Sequence, residues 1–323
     1  MKKKIALLLI IGLLSIVADG YAQQSAIAKF PEKTINVVVP WPAGGRSDAY
    51  ARALAPLLEE KLNVPVIVSN HAGAAGAMGA RAVLKAGADG YTLLSVGGGT
   101  MSFKVTRTPP VDAEKFEPIG NYVYEAYFVA VRNDSPFKTY QDLINFAKQN
   151  PGKVKCGTAG IATDGDLYIR ELADMAGVRI NVIPYAGDAP LTVDLLGGHV
   201  DAAMTVIPSI FGQLEAKQFR LLASGYAQPH PDFPGVPTFK SLGYDLVGDY
   251  WSVFAAPEGT PPEILDKLEQ ALKYAVENPK FKEFVRRLHS EAMWWDRHKS
   301  KKVMQETIKR DIARAQKFGL ASK

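Results

Sequence analysis

The chain has 323 residues, 47% of them hydrophobic and 22% charged, and is therefore long enough for two domains with sizeable cores. Its formal net charge of +5 is too small for a nucleic-acid-binding protein, and the basic residues beyond position 280 are interleaved with acidic ones, as on a solvated helix face. Its single cysteine, Cys156, excludes an internal disulfide and lies in an apolar segment that predicts a small buried side chain.

Residues 1–22 have the features of a secretory signal peptide. Lys2–Lys4 form a basic start, and Ile5–Val17 is an apolar run that is short for a membrane span. Cleavage after Ala22 would remove three lysines and Asp19, which lowers the formal charge from +5 to +3. We expect an exported, periplasmic chain; an uncleaved anchor is the less favoured alternative.

The mature chain opens with a strand, a loop and a helix. Thr34–Val39 (TINVVV) is β-branched and apolar, Pro40–Asp48 (PWPAGGRSD) is rich in glycine and proline, and Ala49–Leu62 has apolar residues at helical spacing. Gly44 and Gly45 allow the backbone to come close to a ligand. Because a helix start presents unpaired N–H groups and a partial positive charge, this loop predicts a site for a carboxylate or phosphate.

Three polar residues of this loop have predicted roles. Ser47 or Asp48 can cap the helix start, and Arg46 adds a full charge that can bind a carboxylate through a fork of N–H groups. A glycine-rich turn that binds nothing is the structural alternative, and the loop alone does not decide between the two.

Alternating strand and helix patterns continue along the chain and predict an α/β fold with mainly parallel sheets flanked by helices. The first series adds the strands Val64–Ser69 and Tyr91–Val96 and the glycine-bearing loops Gly73–Gly79 and Gly97–Gly99. In the second series, predicted helices alternate with the strands Lys153–Thr158, Asn181–Tyr185, Asp201–Ile207 and Arg220–Ser224. The glycine-bearing loops should lie at the carboxyl edge of the first sheet, where open α/β sheets bind ligands.

Two long predicted strands, Tyr122–Val131 and Tyr244–Ala255, bracket the second series. They suggest two hinge crossovers between a first lobe, residues 29–126 plus 251–323, and a second lobe, residues 127–250. The ligand site should then be the cleft between the lobes, and hinge closure should be the main motion.

Enzyme signatures are weak in this sequence. Gly73–Gly79 (GAAGAMG) lacks the G-x-G-x-x-G spacing of a dinucleotide loop, and Gly97–Thr100 lacks the lysine of a phosphate-binding loop. The five histidines are scattered, and no metal-ligand spacing or nucleophile motif occurs. We therefore expect no cofactor, no metal and no catalysis; an NAD(P)- or nucleotide-binding α/β enzyme is the alternative class.

Several stretches together resemble the periplasmic solute-binding receptors of tripartite tricarboxylate transporters, the TctC-like or Bug-type proteins. They occur in the family's order over nearly the whole mature chain: FPEKTINVVVPWPAGGRSD, VPVIVSNHAGAAGAMGARAVLKAGADGYTLL, NPGKVKCGTAG, IPYAGDAPLTVDLLGGHVDAAM, PGVPTFKSLGYD and FAAPEGTPPEILDKL. Each stretch is weak alone, but the ordered set is specific.

The resemblance implies a two-lobed periplasmic-binding-protein (Venus flytrap) fold with two hinge crossover strands. It also implies a small carboxylate ligand, such as a di- or tricarboxylate, an aromatic acid or an amino or nicotinic-type acid. A monomeric receptor would deliver this ligand to the membrane subunits of a tripartite permease; a sensor without a transport role is the alternative. Carried over from the family, the ligand loops are Trp41–Asp48 in the first lobe and Gly157–Asp166 in the second. The ligand-binding residues expected in them are Trp41, Ala43, Gly44, Gly45, Arg46, Ser47, Asp48, Gly160, Ala162, Thr163 and Asp166.

Two features depart from the family pattern. Arg46 replaces a glycine or another small residue, and it either clamps an anionic group or points to solvent. The facing loop, usually rich in serine, carries Asp164 and Asp166. We favour helix capping by these acids, while the alternative is that Asp166 pairs with an ammonium group or with Arg46 across the cleft.

Further candidates lie in other loops. Tyr185, Gly187 and Asp188 begin a second-lobe helix that the resemblance places at the cleft. Gly98 and Thr100 follow a first-lobe strand and should line one wall, with core packing as the alternative. On the second crossover, Tyr250 or Trp251 can stack on a ligand or pack the hinge, and we expect Trp251 to contact the ligand.

Overall fold

The computed structural model describes residues 29–98 and 111–321, so the predicted signal peptide and Thr100 lie outside the described residues. Within them the chain forms ten strands: β1 (Ile35–Val39), β2 (Val66–Asn70), β3 (Thr92–Gly97), β4 (Phe116–Ala126), β5 (Phe128–Arg132), β6 (Lys155–Thr158), β7 (Asn181–Pro184), β8 (Ala202–Thr205), β9 (Phe219–Ser224) and β10 (Asp249–Pro257). These make two five-stranded sheets, in the orders β2–β1–β3–β10–β4 and β7–β6–β8–β5–β9.

Both sheets are mixed rather than mainly parallel. In the described part of the chain each has two parallel pairings, β1 with β2 and β3 in the first and β6 with β7 and β8 in the second. The other two pairings of each sheet are antiparallel, because β10 and β5 run against their neighbours after the chain has crossed between the sheets. The two-sheet α/β architecture is the predicted one.

Helices cover both faces of each sheet. Those beside the first sheet are α1 (Arg46–Leu62), α2 (Ala77–Ala86), α7 (Pro262–Glu277), α8 (Pro279–Arg287) and α9 (Arg297–Lys317), and those beside the second are α3 (Tyr140–Gln149), α4 (Asp164–Met175), α5 (Asp188–Leu196) and α6 (Ile207–Glu215). In α1 the helical spacing buries Ala51, Leu54, Ala55 and Leu58 against the first sheet and α7. None of the helices in residues 29–98 and 111–321 has an apolar run sufficient to span a bilayer.

The chain changes sheet at Tyr127. The single long strand predicted over Tyr122–Val131 is therefore two strands, β4 and β5, in different sheets. The Tyr127 N–H donates to the Gly248 carbonyl at 2.8 Å, and the Tyr127 carbonyl accepts from the Gly225 N–H at 2.7 Å. A Cβ on Gly225 would lie 2.7 Å from the Gly248 Cα, so this close backbone approach requires glycine. The two crossovers thus run side by side.

The C-terminal helix α9 contacts elements of both sheets. It packs on β4, and its last turns reach α4. There Arg314 Nε lies 2.7 Å from Glu171, and Lys317 Nζ lies 2.7 Å from Asp174. Ala315 is buried beside Leu167 of α4. The helix therefore bridges the two halves of the molecule on one side.

Candidate functional site

A cavity lies between the two sheets at the starts of three helices, and the space there that is not filled by atoms, about 490 Å³, is partly open to solvent. Its wall combines residues of both halves and of both crossovers: Trp41, Pro42, Gly45, Arg46, Ser47, Tyr127, Ala159, Thr163, Gly187, Asp188, Ala189 and Tyr250. Seven of the predicted ligand residues are in this wall.

The first wall is the start of α1. This helix begins at Arg46, three residues earlier than predicted, and Gly45 is its N-cap, so the prediction of Ser47 or Asp48 as N-cap is wrong. Asp48, the third helical residue, instead accepts the Gly44 N–H at 3.0 Å and is bound by Arg52 four residues on. Burial raises the pKa of Asp48, but the hydrogen bonds from Arg52 and Gly44 outweigh it and lower the pKa below its usual value.

Arg46 points into the molecule, since only 7% of it is exposed. Its Nη1 donates to Glu125 at 3.0 Å, and its guanidinium carbon lies 3.8 Å from the centre of the Tyr250 ring. Burial alone would lower the pKa of Arg46, but Tyr250, Glu125 and Asp188 raise it well above the usual value, so the side chain stays charged. Its Nε has no hydrogen-bond acceptor among the described residues and lies 4.0 Å from Asp188 Oδ2.

Glu125 is the residue that holds Arg46 in place, and the sequence reasoning did not include it. It is 2% exposed and accepts from the Tyr50 hydroxyl and, at 2.7 Å, from the Ser290 hydroxyl as well as from Arg46. A signal was present, since Glu125 is the only charged residue in the apolar stretch YVYEAYFVAV (122–131). A buried acid needs partners, and such an acid in a strand indicates a network.

The second wall is the start of α4, which repeats the arrangement of α1. Thr163 is the N-cap, and its side chain makes no capping hydrogen bond within the described chain. Asp166, again the third helical residue, accepts the Ala162 N–H at 2.8 Å and pairs with Arg170 four residues on at 3.0 Å. It holds the left-handed backbone of Ala162 (φ 55°) and does not pair with Arg46. The structure therefore places Asp166 in a capping role, outside the cavity wall.

The third wall is the start of α5. Gly187 is the N-cap, with φ 130° and ψ 178°, a conformation that is open essentially to glycine alone. Asp188, the first helical residue, lines the cavity. Tyr185 does not: its hydroxyl donates to Asp194 at 2.8 Å, and its ring packs in the core of the second half.

Three helix starts without a side-chain cap thus converge on one cavity: those of α1, α4 and α5. Their first-turn N–H groups and partial positive charges favour an anion. Asp48 and Asp166 bond to the N–H of the residue before each N-cap, and so they leave the first-turn N–H groups free. Together with the unpaired Arg46 Nε, this geometry suits a carboxylate.

Alternation along β10 decides which crossover aromatic faces the cavity. Tyr250 lines it, whereas Trp251 is 2% exposed and packs near Trp295 in the core behind the first sheet. Gly98 leaves room for the Trp251 ring in that core, because a Cβ on Gly98 would lie 2.5 Å from the Trp251 indole. The structure therefore moves the predicted contact from Trp251 to Tyr250, and Gly98 lies beside the core rather than in the cavity wall.

The two halves touch at the cavity mouth. A Cβ on Gly187 would lie 3.3 Å from Pro42 Cδ, and one on Gly160 would lie 3.8 Å from the Trp41 ring. Gly44 and Ala43 are exposed at the outer edge of the first loop. The cleft is therefore narrow, with Trp41 and Pro42 forming one lip.

Other chemistry-bearing groups have structural surroundings. Within residues 29–98 and 111–321 no group of three His, Cys, Asp or Glu side chains is arranged to hold a metal ion. Cys156 is buried, which raises the pKa of its thiol to about 12, as expected for a packing residue. In the glycine-rich stretch 73–79, a Cβ on Gly79 would lie 2.7 Å from Pro40, so this glycine allows close helix–strand packing.

The family model of the tripartite tricarboxylate transporter family receptor, TctC, matches residues 50–320. The chain belongs to this family. A protein of the gbd 5′ region of Cupriavidus necator is 34% identical over 304 residues, which cover 92% of this chain and 91% of that protein. TctC proteins are periplasmic solute-binding receptors rather than a family of enzymes, and the resemblance inferred from the sequence is confirmed.

Two solved structures of this type are similar over their whole length. The periplasmic binding protein BugD is 29% identical, covers 91% of this chain and 100% of its own, and superposes with a TM-score of 0.84. A Rhodopseudomonas palustris protein solved with adipate is 27% identical, covers 91% and 99%, and has a TM-score of 0.85. The TctC receptors therefore share the two-lobed fold found here.

Proposed function

We propose that this chain captures a small carboxylic acid in its inter-lobe cavity and delivers it to a membrane permease of the tripartite tricarboxylate type. The observation that supports this most directly is the convergence of the α1, α4 and α5 starts on the Arg46 guanidinium. Hydrogen bonds from oriented N–H groups to a charged acceptor contribute roughly 1.5–3 kcal/mol each. Two or three of them with Arg46 suffice for a selective receptor of a small anion.

Similarity to a receptor solved with adipate supports a carboxylate as the ligand. In this chain Arg46 Nε and the N–H groups in the first turn of α1, which contains Ser47, would hold one carboxylate from the first lobe. Thr163 and Gly187, at the α4 and α5 starts, would complete the shell from the second lobe.

Closure and release complete the proposed cycle. The lobes, residues 29–126 with 251–323 and residues 127–250, would open about the paired crossovers at Tyr127 and Gly248. A ligand that contacts both lobes favours the closed form, because it binds that form better. The closed monomer would dock on the permease subunits in the membrane and pass on its ligand; no cofactor takes part.

The binding step is tested by thermal-shift and calorimetric titration of residues 23–323 with di- and tricarboxylates, aromatic acids and amino acids. The protein is first unfolded and refolded to remove co-purified ligand. We expect saturable binding of at least one acid, and its loss in Gly45→Trp, which fills the cavity. Gly235→Trp is the matched control, because Gly235 is exposed with open space around it. Binding that survives Gly45→Trp would place the site elsewhere, and binding of nucleotides alone would support an enzyme.

The delivery step is tested by uptake of the identified acid into cells that lack this chain but retain the permease. Adding back the wild-type gene should restore uptake, and the Gly45→Trp gene should not. Unchanged uptake in the deletion strain, with an acid-dependent transcriptional response that is lost, would instead indicate a sensor.

A further inference from the structure

Asp188 is the only acid among the described residues that line the cavity. Asp48 and Asp166 each accept a loop N–H and an arginine, as described above. Asp188 lines the cavity, its side chain is 16% exposed, and it makes no side-chain hydrogen bond to the described residues. Its nearest cation is Arg46 Nε, at 4.0 Å.

The charge of Arg46 is already balanced. Glu125 holds its Nη1 at 3.0 Å, and both side chains are buried. Asp188 therefore adds a carboxylate to the cavity wall, and in residues 29–98 and 111–321 no cation other than Arg46 lies within 4.0 Å of it. A ligand with two carboxylates would bring a further anion next to Asp188, and like charges in a partly buried site repel.

The surroundings of Asp188 suit a cationic nitrogen. The wall around it contains the aromatic side chains of Trp41, Tyr127 and Tyr250. The Trp41 ring approaches Gly187, the residue before Asp188, with its edge carbon 3.9 Å from the Cβ position. A carboxylate beside an aromatic face is a pairing that proteins use to bind ammonium groups.

We propose that the preferred ligand is a zwitterion whose ammonium group binds Asp188 and whose carboxylate binds Arg46 Nε and the helix starts. This inference rests on the proposed function and narrows its ligand class from carboxylic acids in general to those with a cationic nitrogen. Such a ligand would bind two groups that face each other across the cleft at 4.0 Å without a hydrogen bond between them: a buried N–H donor on the first lobe and a carboxylate on the second. Asp188 would then determine specificity, and Arg46 would provide the anchor.

The test compares matched acids that differ only in an ammonium group. The pairs are L-alanine with propionate, L-glutamate with glutarate, and L-phenylalanine with phenylpropionate, titrated by calorimetry into the refolded chain. We expect at least one amino acid to bind tenfold or more tightly than its nitrogen-free partner. In Asp188→Asn this preference should fall by about tenfold or more, while the nitrogen-free acids bind as well as before or better.

The matched control is Asp194→Asn on the same helix, whose carboxylate pairs with Tyr185 outside the cavity. It should keep the wild-type preference, which separates loss of the ammonium contact from damage to α5. Tighter binding of a nitrogen-free acid by the wild type, strengthened further in Asp188→Asn, would overturn the inference and leave the proposed function intact. Binding of neither series would overturn the inference, and the proposed function would fall as well only if the di- and tricarboxylates and aromatic acids of the wider panel also do not bind.

Discussion

Glu125→Gln tests whether the buried Glu125 holds the Arg46 guanidinium in the cavity wall. Glu125 is 2% exposed and lies 3.0 Å from the Arg46 Nη1, and it accepts two further hydroxyl groups. Glutamine keeps the shape and one hydrogen bond but removes the hydrogen-bonded counter-ion of the guanidinium, which leaves Asp188 at 4.0 Å as its remaining carboxylate neighbour. Removing one partner of a buried pair costs about 3–5 kcal/mol, and the retained hydrogen bond returns about 1 kcal/mol. We expect a loss of about 3 kcal/mol in the free energy of unfolding.

The assay is urea unfolding followed by both fluorescence and circular dichroism, which must coincide for a two-state free energy to be quoted. Glu117→Gln is the matched control. Glu117 is on the same strand, β4, and pairs with the half-exposed Lys301 at 2.6 Å, so its loss should cost under about 1 kcal/mol.

The double variant Glu125→Gln with Arg46→Met tests whether the cost comes from the unpaired charge of Arg46. If the cost of Glu125→Gln arises from a stranded charge, adding Arg46→Met should recover about 1–2 kcal/mol, because the double variant contains no unpaired buried ion. A double variant as unstable as the sum of the two single variants would refute this account. Equal losses in Glu125→Gln and Glu117→Gln would refute it as well.

Three further predictions concern other positions. Gly187→Ala should cost roughly 1–3 kcal/mol of stability and weaken acid binding, because its backbone conformation is strained for alanine and its Cβ would crowd Pro42; Gly212→Ala, in an open helix position, should cost nothing. Asp48→Asn should cost roughly 2 kcal/mol at neutral pH. The pKa of Asp48 in the folded protein lies below its usual value. The stabilisation is therefore complete at a pH above the usual pKa and is lost as the pH falls through the folded pKa. Urea unfolding should thus give the same stability for variant and wild type in acid, and a difference that stays constant with pH would contradict this prediction. The Cys156 thiol should resist iodoacetamide at pH 8 in the folded protein and react after unfolding in guanidinium, as mass spectrometry would show.

The sequence by itself determined the strand–loop–helix order around Pro40–Asp48. Periodicity and glycine placement act within a few residues, so they predict that a helix starts after Gly44 and Gly45 and that its N-terminus faces an anion site. The two-lobed architecture followed from the ordered family stretches and from the two long strands that bracket the second series.

The tertiary structure alone decided which side chains face the cleft. Successive residues of a strand point to opposite faces, so the sequence did not indicate whether Tyr250 or Trp251 faces the cleft. The antiparallel register of β10 on β4, which pairs Tyr250 with Glu125, places Tyr250 on the cleft side. Asp166 and Asp188 both lie in the first turn of a helix, but Asp166 reaches back to the Ala162 N–H of its own loop, whereas Asp188 lines the cleft.

The local sequence pattern also did not predict contacts between segments that are distant in the chain. Arg46 and Glu125 are 79 residues apart, and Arg46 meets Asp188 only because the two lobes approach each other. Local sequence determined where the helix starts that line the cavity lie in the chain. The packing of one lobe against the other determined which charges meet at the cavity, because those charges come from separate parts of the chain.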